Sequence, residues 1–249
     1  MKAMILAAGL GTRLRPLTND RPKALVEING CTLLEITLTR LSTFGIREVI
    51  INVHYFADMV ADYLRANNNF GIQIEISREE ILLDTGGGLS KAAWFFLKDD
   101  NALNEPFVLH NVDVISAIDL RHMAETHTAK GALATLAVQQ RKSSRHLFFD
   151  EKLQLCGRQK GSEKRREIVR GNASVLQPLA FSGIHVISPR LLSMIQHQGV
   201  FSIIDVYLRL AADGQSIMGY RADGDYWRDL GKLDQVQQAT QDYRKKLIF

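Results

Sequence analysis

Two glycines, an arginine and a lysine near the start of the chain carry the clearest chemical signal. A short apolar run, Ala3–Ala7, leads into Leu6-Ala7-Ala8-Gly9-Leu10-Gly11-Thr12-Arg13. Gly9 and Gly11 let the backbone turn sharply and approach a ligand closely. Consecutive N–H groups in such a turn form a concave anion site. Arg13 adds a permanently charged fork suited to phosphate oxygens, and Pro22-Lys23 supplies a second cation as a point charge. The turn is neither a Walker A loop, which needs GxxxxGK[ST], nor a full dinucleotide fingerprint, because Gly9-Leu10-Gly11-Thr12-Arg13-Leu14 lacks the third glycine. A bare glycine turn would be read as structural; Arg13 and Lys23 favour a phosphate loop.

Two aspartates come next. Val108-Leu109-His110-Asn111-Val112-Asp113 sets Asp113 just beyond an apolar run, and Tyr226-Trp227-Arg228-Asp229-Leu230-Gly231 sets Asp229 beyond another. Ligands of open parallel sheets bind outside the carboxyl ends of the strands. Mg²⁺ is typically held by one or two protein carboxylates plus substrate phosphates. A helix cap or a turn is the alternative for such aspartates, and it is the reading adopted for Asp119 and Asp205. The seven histidines have no metal-ligand spacing, and Cys31 and Cys156 form no CxxC pair, so they read as ordinary thiols.

The elements that must position these residues alternate. Strand patterns occur at Ala3–Ala7, Glu48–Val53, Ile72–Ile76, Phe107–Leu109 and Ala132–Val138, with helix patterns at Thr32–Leu41, Ala57–Leu64, Gly88–Leu97 and Asp119–His127 between them. This order predicts an α/β fold, a Rossmann-like, mostly parallel sheet with helices on both faces. The later chain reads as a hairpin (His146–Phe149, Lys152–Leu155), a long basic loop (Arg158–Gln177), a strand (Leu179–Ile187), a helix (Ser202–Ala212), short strands at Ile217–Tyr220 and Asp225–Arg228, and a terminal helix (Leu233–Leu247). One catalytic domain over 1–249 is expected, in two halves that meet at about residue 115, with an inserted substrate-binding lobe in the second.

Leu6-Ala7-Ala8-Gly9-Leu10-Gly11-Thr12-Arg13-Leu14-Arg15-Pro16-Leu17-Thr18, followed by Arg21-Pro22-Lys23-Ala24-Leu25-Val26-Glu27-Ile28-Asn29-Gly30, resembles the signature of the sugar-1-phosphate nucleotidyltransferase family. The resemblance implies a nucleotide-diphospho-sugar transferase fold. It further implies that Leu6, Ala7, Ala8, Gly9, Gly11, Thr12 and Arg13 wrap base and triphosphate, that Arg13 sits on the leaving pyrophosphate, and that Lys23 contacts phosphate near the reacting centre. Asp113 and Asp229 match the family's Mg²⁺-binding aspartates. Leu83-Asp84-Thr85-Gly86-Gly87-Gly88-Leu89 resembles the segment that approaches base and then sugar. This brings in Thr85 and Gly86 for the nucleotide and Gly87 for the sugar, with Asn111, Ser182 and Gly183 also on the sugar side.

The wording of Leu83–Leu89 is most similar to the N-acetylmuramate-1-phosphate uridylyltransferase branch, so UTP is the favoured donor. Glu79 matches a position at the base edge. A carboxylate accepts N–H bonds and cannot donate; guanine offers two adjacent donors and uracil one, which keeps GTP, with a mannose or heptose 1-phosphate, as the alternative. A solvent-exposed Glu79 is the other reading. Val112 stands where the family has glycine; a β-branched residue resists positive φ, and here it is expected to narrow the space over the metal. The family's sugar-phosphate lysine has no counterpart, and Lys164 and Arg170 are positional stand-ins.

Composition narrows the remaining classes. The chain has 249 residues, 46% hydrophobic content and a net charge of +4. No run approaches the roughly 20 apolar residues of a membrane span, and Gly9 and Arg13 interrupt any secretory signal, so a cytoplasmic location is expected. The basic residues of Arg141–Arg145 and Arg158–Arg170 lack the interleaved aromatics that stack bases, so no nucleic-acid partner is expected. The expected partners are UTP or GTP and a sugar 1-phosphate. A non-catalytic nucleotide-sugar-binding regulator on the same fold is the alternative of another class.

Overall fold

The computed structural model describes residues 1–98, 105–160 and 165–244. Its parallel core is β1 (Ala3–Leu6), β4 (Glu48–Val53), β5 (Gln73–Arg78) and β6 (Phe107–Asn111), adjacent in the order β6-β1-β4-β5. Between β1 and β4 lie a small hairpin, β2 (Glu27–Ile28) with β3 (Cys31–Thr32), and helix α1 (Leu33–Thr43). Thr32 caps α1 by accepting the Glu35 N–H at 3.0 Å. Helix α2 (Ala57–Ala66) links β4 to β5, and α3 (Asp84–Lys91) with α4 (Ala93–Phe96) leads towards β6.

Strands buried on both faces read as continuous apolar runs, and their alternation divides the core in two. Ala3, Ile5, Val49, Ile51 and Val108 face a cluster that includes Leu34 and Leu38 of α1, Val60 and Leu64 of α2, Met123 of α5 (Leu120–Ala129) and Val236 of α8 (Leu233–Arg244). Met4, Ile50, Phe107 and Leu109 face the other, with Leu89 of α3, Phe96 of α4, Leu191 of α6 (Arg190–Ser193) and Val206 and Leu210 of α7 (Ile203–Ala212).

Beyond β6 the sheet changes direction. β12 (Gln177–Ile187) runs antiparallel to β6, and against it pair β8 (Ala134–Gln139) and β9 (Leu147–Phe149). β13 (Ile217–Arg221) extends β8 in parallel, while β10 (Leu155–Lys160) and β11 (Arg165–Ile168) extend β9. Among the described residues this makes a ten-stranded sheet with helices on both faces. A separate two-stranded ribbon joins β7 (Val114–Ser116) to β14 (Trp227–Asp229).

Several elements differ from the sequence reading. The supposed loop Arg158–Gln177 contains the end of β10, all of β11 and a helical turn at Ala173–Val175. Its basic character hid the strands because β11 is the edge of the sheet, where charged side chains protect unpaired backbone. Arg158 is fixed there by Glu167 at 2.7 Å and Asp205 at 2.6 Å. Asp205 is therefore an ion-pair partner in the first turn of α7, which Ser202 caps instead. Asp119 does cap α5, accepting from Arg121 and His122 at 2.9 and 3.0 Å. The helix read over Gly88–Leu97 starts at Asp84 and breaks at Ala92. Lys164, and the end of the terminal helix as read to Leu247, lie outside the described residues.

Candidate active site

The carboxyl ends of three parallel strands stand side by side, with Leu6 of β1 in register with Asn52 of β4 and with Asn111 of β6. The turn that follows β1 is pinned to both neighbours. Ala7 N–H donates to Asn52 Oδ1 at 2.8 Å, and Val112 N–H donates to Leu6 O at 3.1 Å. Gly11 adopts φ +65°, with Thr18 Oγ1 donating to its carbonyl at 2.9 Å. Gly9 is exposed, and no atom lies within 4 Å of where a side chain would start, so its backbone is open to a ligand.

The four charged residues singled out from sequence converge beside this turn. Lys23 is 8% exposed, and its Nζ is ion-paired to Asp113 Oδ2. Asp229 pairs across the ribbon with Val114, and Leu230 N–H donates to the Asp113 carbonyl at 2.8 Å, so Asp113, in the turn before β7, is brought beside Asp229 at the end of β14. Asp229 Oδ1 accepts the Gly231 N–H at 2.7 Å. A Cβ on Gly231 would stand 2.7 Å from Arg13 Nη2 and 2.8 Å from Asp229 Oδ1, so the Arg13 guanidinium lies over this corner against Gly231. Arg13 is exposed and has no hydrogen bond or ion pair among the described residues, in contrast to Lys23.

The donor chemistry of this corner fits a hard divalent cation. It offers two carboxylates, and among the described residues no group of three or more His, Cys, Asp or Glu could form a complete metal cage. Mg²⁺ commonly takes one or two carboxylates and completes its shell with water and substrate phosphate. Val112 does not crowd this site as expected from sequence. It takes no positive φ, and its side chain, 3% exposed, belongs to the core cluster beneath α1.

Next to the turn opens a cleft of about 370 Å³ lined by Leu6, Ala8, Gly9, Asn52, Glu79, Leu82, Asp84, Thr85, Asn111 and Val200. Glu79 is 4% exposed, which overturns the solvent-exposed reading. Its carboxylate is held by the protein: Oε1 accepts from Asn52 Nδ2 at 2.6 Å and Oε2 from Leu83 N–H at 3.0 Å. Asn52, missed from sequence, thus links the phosphate turn to Glu79. A lone Asn after an apolar strand carries no signal until strand register places it. Val200, exposed on the far wall, was missed for the same reason.

The glycine run after Thr85 serves packing. A Cβ on Gly86 would strike the Phe201 ring and come within 2.9 Å of Ile203 N, and one on Gly87 would strike the Gly199 carbonyl. The Gly86 N–H is also spent on Phe201 O at 2.9 Å. A Cβ on Gly88 would intrude on the Asn52–Glu79 pair. These contacts seat α3 on residues 199–203, a packing reason for Gly86 and Gly87 that stands beside their expected places near nucleotide and sugar. Thr85 remains on the cleft wall, its Oγ1 accepting from Ile203 N–H at 3.0 Å.

Ser182 is also corrected. It is fully buried and its Oγ has no hydrogen-bond partner, so it presents no surface to a sugar. Gly183, at φ +75°, lets β12 pass close to Asn111; a Cβ there would be 2.9 Å from Asn111 Nδ2. Two histidines lie under the site. Burial pushes His110 on β6 down to about 4 and His185 on β12 down to about 3, so both are neutral near pH 7. Arg170, the other sugar-phosphate stand-in, donates from Nη1 to Gln215 O at 3.5 Å, away from these residues.

Residues 2–147 match the family model described as nucleotidyl transferase. The chain is 36% identical over 239 residues to N-acetylmuramate alpha-1-phosphate uridylyltransferase from Caulobacter vibrioides, covering 92% of this chain and 91% of that one. It is 28% identical to mannose-1-phosphate guanyltransferase from Yarrowia lipolytica, covering 93% of this chain but spanning only 61% of that relative's length. Among solved structures, a putative glucose-1-phosphate thymidylyltransferase from Bacillus anthracis superposes with a TM-score of 0.79 at 19% identity, covering 98% of this chain and 95% of that one.

Proposed function

Because the chain belongs to the nucleotidyl transferase family, we propose that it is a cytoplasmic enzyme that transfers a nucleoside monophosphate, favourably from UTP, to a sugar 1-phosphate. The products are an NDP-sugar and pyrophosphate. The observation that carries this reading is the convergence of Arg13, Lys23, Asp113 and Asp229 beside a nucleotide-sized cleft at the carboxyl edge of the sheet. Among the described residues no helix is long and apolar enough to cross a membrane.

The reaction is an in-line displacement. A phosphate oxygen of the acceptor forms a bond to the donor's α-phosphorus, and the bond from that phosphorus to the bridging oxygen breaks, its electron pair leaving on pyrophosphate. The attacking phosphate is already anionic at neutral pH, so no general base is needed, which agrees with a site whose buried histidines are not poised to take a proton. The turn of Leu6–Arg13 would orient the triphosphate, a positioning contribution. Arg13 and Lys23 would neutralise charge on the leaving and transferred phosphates. Asp113 and Asp229 would hold Mg²⁺, which when bound supplies Lewis-acid neutralisation of the phosphoryl oxygens.

Two observations support UTP over GTP. Both Glu79 oxygens already serve Asn52 and Leu83, so the carboxylate is not presented for guanine's paired donors. The uridylyltransferase relative also matches across almost its whole length. A matrix of four nucleoside triphosphates against N-acetylmuramic acid, glucose and mannose 1-phosphates, with Mg²⁺ and pyrophosphate release as readout, tests the reading. Turnover with UTP and at least one acceptor is expected. Turnover confined to GTP would replace the donor, and none with any pair would leave the nucleotide-sugar-binding regulator.

A further inference from the structure

Arg141, just past the end of β8, has no role in the site as described so far. Its guanidinium carbon lies 3.6 Å from the centroid of the Trp227 ring, and Nη2 donates to the Phe181 carbonyl at 2.7 Å. Trp227 is itself fixed by Nε1–H donation to the Ser182 carbonyl at 2.7 Å. The plane of the guanidinium is thus held between an aromatic face on β14 and the backbone of β12. On a strand, residues two apart project to the same face, so the ring under Arg141 and the carboxylate of Asp229 leave β14 on one side. One residue beyond Ser182, Gly183 packs on Asn111 at the edge of the cleft.

The cation is partly desolvated and under-satisfied. Arg141 is half-buried, and among the described residues its buried Nε has no hydrogen-bond partner and its guanidinium no ion pair with a carboxylate. Burial pulls its pKa below the usual arginine range, only partly offset by the negative charge of Asp229 nearby. Arginine does not escape such a penalty by losing its proton. A planar fork, oriented by stacking and left without a carboxylate, matches a phosphate, which guanidinium groups bind through two parallel N–H bonds.

We infer that Arg141 is the acceptor-side anion site, binding the phosphate of the incoming sugar 1-phosphate opposite the Leu6–Arg13 turn. This rests on the nucleotidyltransferase reading and names the residue that reading left unassigned on the acceptor side. The division of labour is spatial: Arg13 and Lys23 belong to the turn after β1 and the segment following it, whereas Arg141 is held by β12 and β14.

The test uses Arg141→Gln and Arg141→Lys in the full chain, with the acceptor that wild type turns over best. Expected for Arg141→Gln is a rise of roughly tenfold or more in the acceptor KM, as for loss of a charge-assisted hydrogen bond, while the UTP KM stays within about twofold. Arg141→Lys, which keeps charge but loses the fork, should fall between. Calorimetric titration of wild type and variants with the sugar 1-phosphate and, separately, with UTP gives the same contrast without turnover. If UTP affinity drops and acceptor affinity does not, the inference is overturned, because Arg141 then serves the triphosphate. If the melting temperature falls and neither affinity changes, it is overturned in favour of a structural clamp. Should Arg141→Gln fail to fold, Arg141→Lys decides by the same ratio. Absence of turnover in wild type with every acceptor would sink the nucleotidyltransferase reading instead, and sugar-phosphate titration would still judge Arg141.

Discussion

On the β6-β1-β4-β5 side the sheet is parallel, with β6, β1 and β4 buried and β5 a half-exposed edge, and its site residues stand in register at adjacent strand ends. Beyond β6 the strands β12, β9, β10 and β11 run antiparallel, and the residues facing the site come from a ribbon, a bulged strand and the chain after β8. The first region builds its cleft from the ends of neighbouring parallel strands and the turns that follow them. The second gathers single side chains from distant segments. On the function proposed above, the parallel edge would take the triphosphate and the antiparallel side the acceptor.

The sharpest way to break this comparison is at the corner where the regions meet. Asp113→Asn and Asp229→Asn should each reduce Mg²⁺-dependent turnover by at least about 10²–10³, read as pyrophosphate release across a Mg²⁺ titration. Asp113→Asn should also lower stability, by about 3 kcal/mol, because Lys23 stays buried without its partner. A mutant with wild-type Mg²⁺ dependence would make its aspartate a structural residue. Arg13→Ala should cost a similar 10² or so in turnover with an unchanged melting temperature, since the exposed side chain has no ion pair among the described residues. Unaltered turnover in a folded mutant would remove Arg13 from the mechanism.

The seam between the regions is tested by acid. His110 on β6 and His185 on β12 have folded pKa values of about 4 and about 3, below the ordinary 6.5 of an unfolded histidine. The unfolded chain therefore binds more protons below pH 6.5. Stability is fully present above that value and falls as pH drops towards the folded values. At pH 5.5 each histidine should cost about 1.4 kcal/mol, and His127, which burial lowers to about 4, adds a third such share, so stabilities from urea melts at pH 7.5 and 5.5 should differ by about 4 kcal/mol, about 3 of it from the seam. A flat profile to pH 5 would mean the seam admits water.

The smallest expected effect sharpens the base assignment. Glu79→Gln places an amide donor against either Asn52 Nδ2 or Leu83 N–H, at about 1–3 kcal/mol. As an internal brace, Glu79 should affect UTP and GTP alike. A selective loss of GTP use would return it to the base edge.

The parallel region was the more legible in sequence because its signals are local. Gly11 at positive φ, Arg13, Lys23 and the buried runs of β1, β4 and β6 are each readable within a dozen residues. What could not be read depended on partners far along the chain. Gly86 and Gly87 look like ligand-approach glycines, and only the packing of residues 199–203 shows that they are docking positions as well. Val112 looked obstructive because its face was unknown until β6 and the ribbon were placed. The basic stretch after Arg158 resembled a loop because an edge hairpin needs no apolar alternation on its solvent side. Asn52 and Arg141 carried no motif, since their meaning lies in register and stacking.

The pairing of β7 with β14 also has a consequence for the order in which the enzyme comes into being. Ribosomes deliver β1, β4, β5 and β6 early, and domains begin to fold as they emerge. The Leu6–Arg13 turn and its brace through Asn52 to Glu79 can form from that first stretch alone. Asp229, its amide anchor at Gly231 and the Leu230 N–H that grips the Asp113 carbonyl are made well after β6. Contacts so distant in sequence form late, since loop closure must come first. A nascent chain can thus own the turn after β1 long before Asp229 joins Asp113, which waits until β14 zips onto β7.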